Sequence, residues 1–116
     1  MPPGIVYDEI DNYIDGLANR GDTALATVEK QGMKEGWPIV GAAEGSLLHI
    51  LARSVRAKRI LELGTAIGYS GTWLARALAD NGELVTVEHD PETAALARKN
   101  FEKTPPCCSA GSAPGR

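Results

Sequence analysis

Two carboxylates and two glycines, set at the ends of two short apolar runs, are the residues whose types and spacing could do chemistry in this chain. The run Leu61-Glu62-Leu63-Gly64-Thr65-Ala66-Ile67-Gly68-Tyr69-Ser70 passes from an apolar segment into a glycine loop, and Glu88 closes a second apolar segment further on. Gly64 and Gly68 permit dihedrals and a close backbone approach that a side chain would forbid. A ligand can lie against such a loop, outside the carboxyl ends of the strands. A carboxylate at Glu88 would face the same crevice and could accept two hydroxyl hydrogen bonds, as from a ribose.

The glycine spacing restricts the ligand. A dinucleotide fingerprint reads G-x-G-x-x-G and sets a pyrophosphate on a helix N-terminus. Here the glycines stand at Gly64, Gly68 and Gly71, which does not match. Glu62, just before the loop, would repel a pyrophosphate. It suits a cationic or zwitterionic ligand, such as the amino group of a methionine moiety.

Those residues need elements to position them. The segment Arg59 to Leu63 reads as a buried strand, and Glu83 to Glu88, rich in β-branched residues, as a second. Between them a helix is expected from about Ser70 to Ala79, with Trp73, Leu74, Ala77 and Leu78 inward, then a turn at Asn81-Gly82. Pro91 suits a first helical turn, opening a helix to about Lys103 with Ala94, Ala97 and Phe101 inward. Upstream lie three expected helices. Ile5 to Leu17 carries an apolar stripe at Val6, Ile10, Tyr13, Ile14 and Leu17, with Gly16 and Gly21 ending it. The second begins at the N-cap Asp22 and runs towards Met33, with Leu25, Val28 and Ala24 or Ala26 inward. The third covers about Ala43 to Val55, with Leu47, Leu48, Leu51 and Val55 on one face. Three helices followed by strand–helix–strand–helix give an α/β fold with parallel strands. Both edges of such a sheet would be unpaired, which predicts marginal folding or association beside the second strand.

Composition excludes several classes. With 43% apolar and 23% charged residues the chain is globular in type, and its 116 residues suffice for one small domain. A net charge of -3 and the lack of a clustered basic face beyond Arg53, Arg56, Lys58 and Arg59 argue against a nucleic-acid partner. There is no apolar run of the ~20 residues that cross a bilayer and no secretory pattern, so the expectation is a cytoplasmic protein away from membranes. Cys107 and Cys108 alone make neither a structural zinc site nor a disulfide framework. His49 reads as a surface or satisfied histidine, Tyr69 as packing, and Trp37 as packing or a lid anchor. Ser70 has the alternative reading of a simple helix cap. Residues 1–103 form the expected structured unit. Residues 104–116, with no periodicity, read as an irregular tail, disordered or of aberrant coding, which translation of the other reading frames would test.

The loop run resembles the first motif of the catechol and caffeoyl-CoA type O-methyltransferases, which use S-adenosylmethionine (SAM). Val40 to Leu48 resembles that family's segment over the cofactor, and Val85 to Pro91 its acidic second-strand motif; the likeness covers roughly residues 35 to 103. It implies a partial Rossmann-like sheet of the class I methyltransferase kind, preceded by N-terminal helices. It also implies methyl transfer to an oxygen of a small-molecule acceptor, and dimers to which the N-terminal helices contribute. Carried over by residue, Val40 lines the cofactor site through its backbone, and Glu62 lies near the methionine end and orders the loop. Gly64, with the backbone from Thr65 to Gly68, passes beneath the cofactor. Ser70 bonds the methionine carboxylate, Glu88 the ribose hydroxyls, and His89 lies beside the adenine. The resemblance also implies a divalent, magnesium-like metal whose ligands follow the matched region. No Asp, Glu or Asn occurs after Glu102, so the downstream metal ligands cannot be supplied by this chain, and no catalytic residue is assigned. The alternative is a non-catalytic truncated fragment that at most binds the cofactor.

Overall fold

The computed structural model describes residues 4–18 and 22–105. Five helices and two strands follow in the order α1 (Asp8–Ala18), α2 (Thr23–Glu35), α3 (Ala42–Ser54), β1 (Arg59–Leu63), α4 (Tyr69–Ala77), β2 (Glu83–Val87) and α5 (Pro91–Lys103). The strands pair in parallel, with Arg59 opposite Glu83, Glu62 opposite Thr86 and Leu63 opposite Val87. This is the α/β, partial Rossmann-like arrangement that the sequence predicts. Because partners in register share a face, Glu62 and Thr86 project to the same side of the sheet.

Local chemistry explains the element ends. Asp22 caps α2, its Oδ1 accepting from the Leu25 amide at 2.9 Å. Gly36, left-handed at φ 74°, closes the same helix. Asp90 caps α5, accepting from the Thr93 amide and hydroxyl, and Pro91 fills the first turn where its missing N–H is harmless. Gly41 has no side chain to cap α3, and Asp15 of α1 does so from outside, accepting from Ala43 N at 2.9 Å.

The core is small. Leu25, Val28, Ile67 and Tyr69 are buried together, with Trp37, Ile39, Val40, Trp73 and Leu96 packed against them. Two of these, Ile67 and Tyr69, belong to the glycine loop and the start of α4, so the core sits directly under the candidate site. Burial, reinforced by the Glu29 and Asp15 carboxylates and opposed by Trp73, pushes the Tyr69 phenol up to about 12. Tyr69, buried in the core, acts as packing, and Trp37 packs against the same core while its Nε1 donates to Glu35 at 3.0 Å. His49 is half-buried and satisfied, with Nδ1 3.1 Å from the Trp73 carbonyl.

Five expectations change. The α1 stripe does not face a core: α1 buries no residue, and Val6, Ile10, Tyr13, Ile14 and Leu17 are all exposed. Gly16 lies inside α1 rather than at its end, and Gly21 lies outside the described residues. In α3 the buried positions are Ala42 and Gly45, whereas Leu47, Leu51 and Val55 are exposed. The small residues face inward because α3 lies close against Trp73 of α4, where a Cβ on Gly45 would come within 2.3 Å of the indole. The strands are not buried on both faces: Leu61 and Leu63 are 66% and 79% exposed, and Val85 and Val87 share that open side. Finally, Thr104 belongs to the structured unit. It is buried, donates to Asn100 O, and meets Thr72 Oγ1 at 3.1 Å. The rest of the expected tail after Pro105, with Cys107 and Cys108, lies outside the described residues.

Candidate cofactor site

The site forms where β1 ends. Gly64 and Thr65 both donate to the Val87 carbonyl, at 2.9 and 3.2 Å, which fastens the loop to the end of β2. Gly64 takes φ 92°, which glycine alone adopts without strain, and the space beyond its missing Cβ is open. A ligand could lie against the backbone here. Gly68, at φ 85°, ends the loop and caps α4 without a side-chain hydrogen bond. The first amides of α4 thus lack a side-chain cap, a setting that favours an anion. Unlike Gly64, Gly68 faces inward, where a Cβ would meet Phe101 of α5 at 3.2 Å. Asn100, buried on α5, holds the loop from below by donating to the Ile67 carbonyl at 2.8 Å.

Glu88 lies across the loop from β2. Its Oε2 accepts from Ala66 N at 2.9 Å and its Oε1 from Asp90 N at 3.1 Å. These amides, Asp90 first and Ala66 second, hold its carboxyl below the usual value of 4.5 and keep it charged. The bond also secures Ala66, which is left-handed at φ 47° without being glycine. A cleft of about 500 Å³ opens beside Glu88, between β2 and α5, lined by Thr65, Leu84, Thr86, Ala97, Arg98 and Phe101 among others.

Glu62 is held from two sides. Ser70 Oγ donates to its Oε2 at 2.7 Å and Thr86 Oγ1 to its Oε1 at 2.8 Å, while Thr65 Oγ1 lies 2.6 Å from Thr86 Oγ1. Since the Thr86 proton goes to the carboxylate, Thr65 is the donor to Thr86. The Ser70 hydroxyl is therefore turned towards Glu62 rather than outward, and the Thr65 side chain is buried.

The geometry gathers Glu62, Gly64, Thr65, Gly68, Ser70 and Glu88 around one loop. Val40 is brought near through the core it shares with Ile67 and Tyr69. His89 is exposed in the bend after β2, next to Glu88. Sequence reasoning missed Thr86 and Asn100. Thr86 was legible in principle, as a polar residue in register with Glu62 on parallel strands; Asn100, one helical polar residue among many, gave no signal. Among the described residues no group of three His, Cys, Asp or Glu side chains could hold a metal ion, so they do not fit the divalent metal that the resemblance implies.

Comparison with known proteins gives the same answer as the loop. The O-methyltransferase family model matches residues 18–108. A catechol O-methyltransferase of Niastella koreensis is 41% identical over 100 residues, which cover 84% of this chain and 45% of that protein. A catechol O-methyltransferase of Mycobacterium tuberculosis is 35% identical, over 82% of this chain and 44% of its own length. Among solved structures, the O-methyltransferase TomG of Streptomyces achromogenes, in complex with SAM, superposes with a TM-score of 0.74 at 40% identity, covering 83% of this chain and 44% of that one. An O-methyltransferase of Bacillus cereus, in complex with SAH, gives 0.75 at 34% identity, covering 83% and 44%. The chain spans less than half the length of these relatives. By sequence and by fold, it belongs to the O-methyltransferase family.

Proposed function

We propose that this chain binds SAM and supplies the cofactor-holding part of an O-methyltransferase acting on a small molecule. The observation that carries the reading is the pairing of an open glycine loop at Gly64 with a charged Glu88 beside it. Glu88 keeps unused lone pairs after accepting two amides, because a carboxylate offers about four acceptor positions. Those can take ribose hydroxyls. The uncapped first turn of α4 and the Ser70 hydroxyl suit the methionine carboxylate, and the Gly64 backbone runs beneath the sulfonium region. Val40 supports this end through its backbone, and His89 is placed to flank an adenine beyond Glu88.

The sulfonium of SAM is already an activated methyl donor, so the protein's share is to orient it and exclude alternatives. When bound, SAM would supply a methyl group for an acceptor oxygen, and Glu62, Gly64, Ser70 and Glu88 would hold and orient it. Nothing among the described residues is assigned as a base for that oxygen. Equilibrium dialysis with labelled SAM tests the reading: saturable binding by the purified chain supports it, and no binding contradicts it. The second reading, a binding fragment without activity of its own, is favoured by the poor fit of the described residues to a metal. A methyl-transfer assay with a catechol-like acceptor and magnesium separates the two.

A further inference from the structure

We propose that Thr86 is a positioning residue for the cofactor, holding the Glu62 carboxylate when Ser70 gives its hydroxyl proton to the ligand. This rests on the SAM reading above and deepens it.

The case begins with proton counting. A serine hydroxyl has one proton to donate. In this structure Ser70 spends it on Glu62 Oε2 at 2.7 Å. A ligand carboxylate at the start of α4 needs that same proton, since carboxylates only accept. Binding therefore requires an exchange, in which Ser70 turns from Glu62 to the ligand. The ligand's amino group, which Glu62 suits, can face the Oε2 that Ser70 leaves, but the half-buried carboxylate stays in place to meet it only if another donor holds the other oxygen.

Thr86 is that donor. It stands opposite Glu62 in the parallel register and gives its proton to the other oxygen, Oε1, at 2.8 Å. Its own oxygen is backed by Thr65 at 2.6 Å, which fixes the direction of the chain from Thr65 through Thr86 to Glu62. The relay lies beneath the loop, so it survives when Ser70 rotates above. Gly71 of α4 leaves space beside this oxygen, where a Cβ would stand 3.0 Å from Oε1.

A double-mutant cycle on the full chain, read by SAM dissociation constants, tests the exchange. Thr86→Val should weaken SAM about tenfold when Ser70 is present, the scale of one hydrogen bond to a charged group. In a Ser70→Ala background the same substitution should change affinity less than about twofold, because no proton is exchanged there. Thr86→Ser keeps the hydroxyl and should bind as the unsubstituted chain does. This last variant also decides the matter if Thr86→Val does not fold. Equal weakening in both backgrounds would make Thr86 a general support of the sheet and overturn the exchange. So would a Thr86→Ser variant that loses binding, or a Thr86→Val variant that keeps it. Failure of the unsubstituted chain to bind SAM would instead overturn the cofactor reading, and this inference with it.

Discussion

Glu88 serves the loop and the ligand with the same two oxygens. Its bonds to Ala66 N and Asp90 N shape the loop before any ligand arrives. Replacing it by alanine removes both these bonds and the ribose acceptors. Glu88→Ala is therefore expected to weaken SAM about a hundredfold. Glu88→Gln, which keeps one acceptor oxygen, should fall between, as calorimetric titration of both variants would show. Charge matters as well as shape. Because the folded carboxyl lies below its usual 4.5, Glu88 contributes stability that is present above that value and is lost as pH falls through the lower folded one. The Ala66 amide signal, followed by NMR from neutrality into acid, should move with a midpoint below 4.5. A midpoint at or above it would contradict the loop geometry.

Elements show why part of the fold was legible and part was not. Capping and turn chemistry is local, so Asp22 and Pro91 marked their helices correctly from type and spacing alone. The strand, glycine loop and helix that frame the candidate site were equally legible, since they are consecutive in sequence. Facing was not. The pattern of α3 put leucines inward, but closeness between α3 and α4 decides, and it selects Ala42 and Gly45. Periodicity measures amphipathicity, and it carries no information about which neighbour sits how near. The same closeness makes Gly45 a sensitive point. A Cβ would stand 2.2 Å from Trp73 Nε1. Gly45→Ala should thus destabilise the chain by about 1–3 kcal/mol through overpacking, outweighing the ~1 kcal/mol that alanine gains as a helix former. Chemical denaturation measures the balance; a stabilised variant would show that the helices part freely.

The whole molecule is one-sided. Glu62, Thr86 and the core lie on one face of the sheet, while Leu61, Leu63, Val85 and Val87 are open on the other, and among the described residues both strand edges are unpaired. The apolar stripe of α1 is exposed too. Contiguous apolar surface and free edges of this kind favour association. The purified chain should bind an apolar dye and sediment faster as its concentration rises. Leu63→Lys with Val87→Lys should reduce both effects without loss of helical circular dichroism; a chain that stays monomeric and dye-free would contradict the exposed face. Such exposure was hidden from the sequence, because Ile60 to Leu63 reads as a buried strand whether or not anything covers it. The central claim is that this much of the fold suffices to hold a cofactor, and two-dimensional amide NMR with added SAM tests it most directly. The account predicts a dispersed spectrum in which the signals from Gly64 to Ser70 and of Glu88 shift and saturate. A collapsed spectrum, or a dispersed one in which those signals stay still, would contradict it.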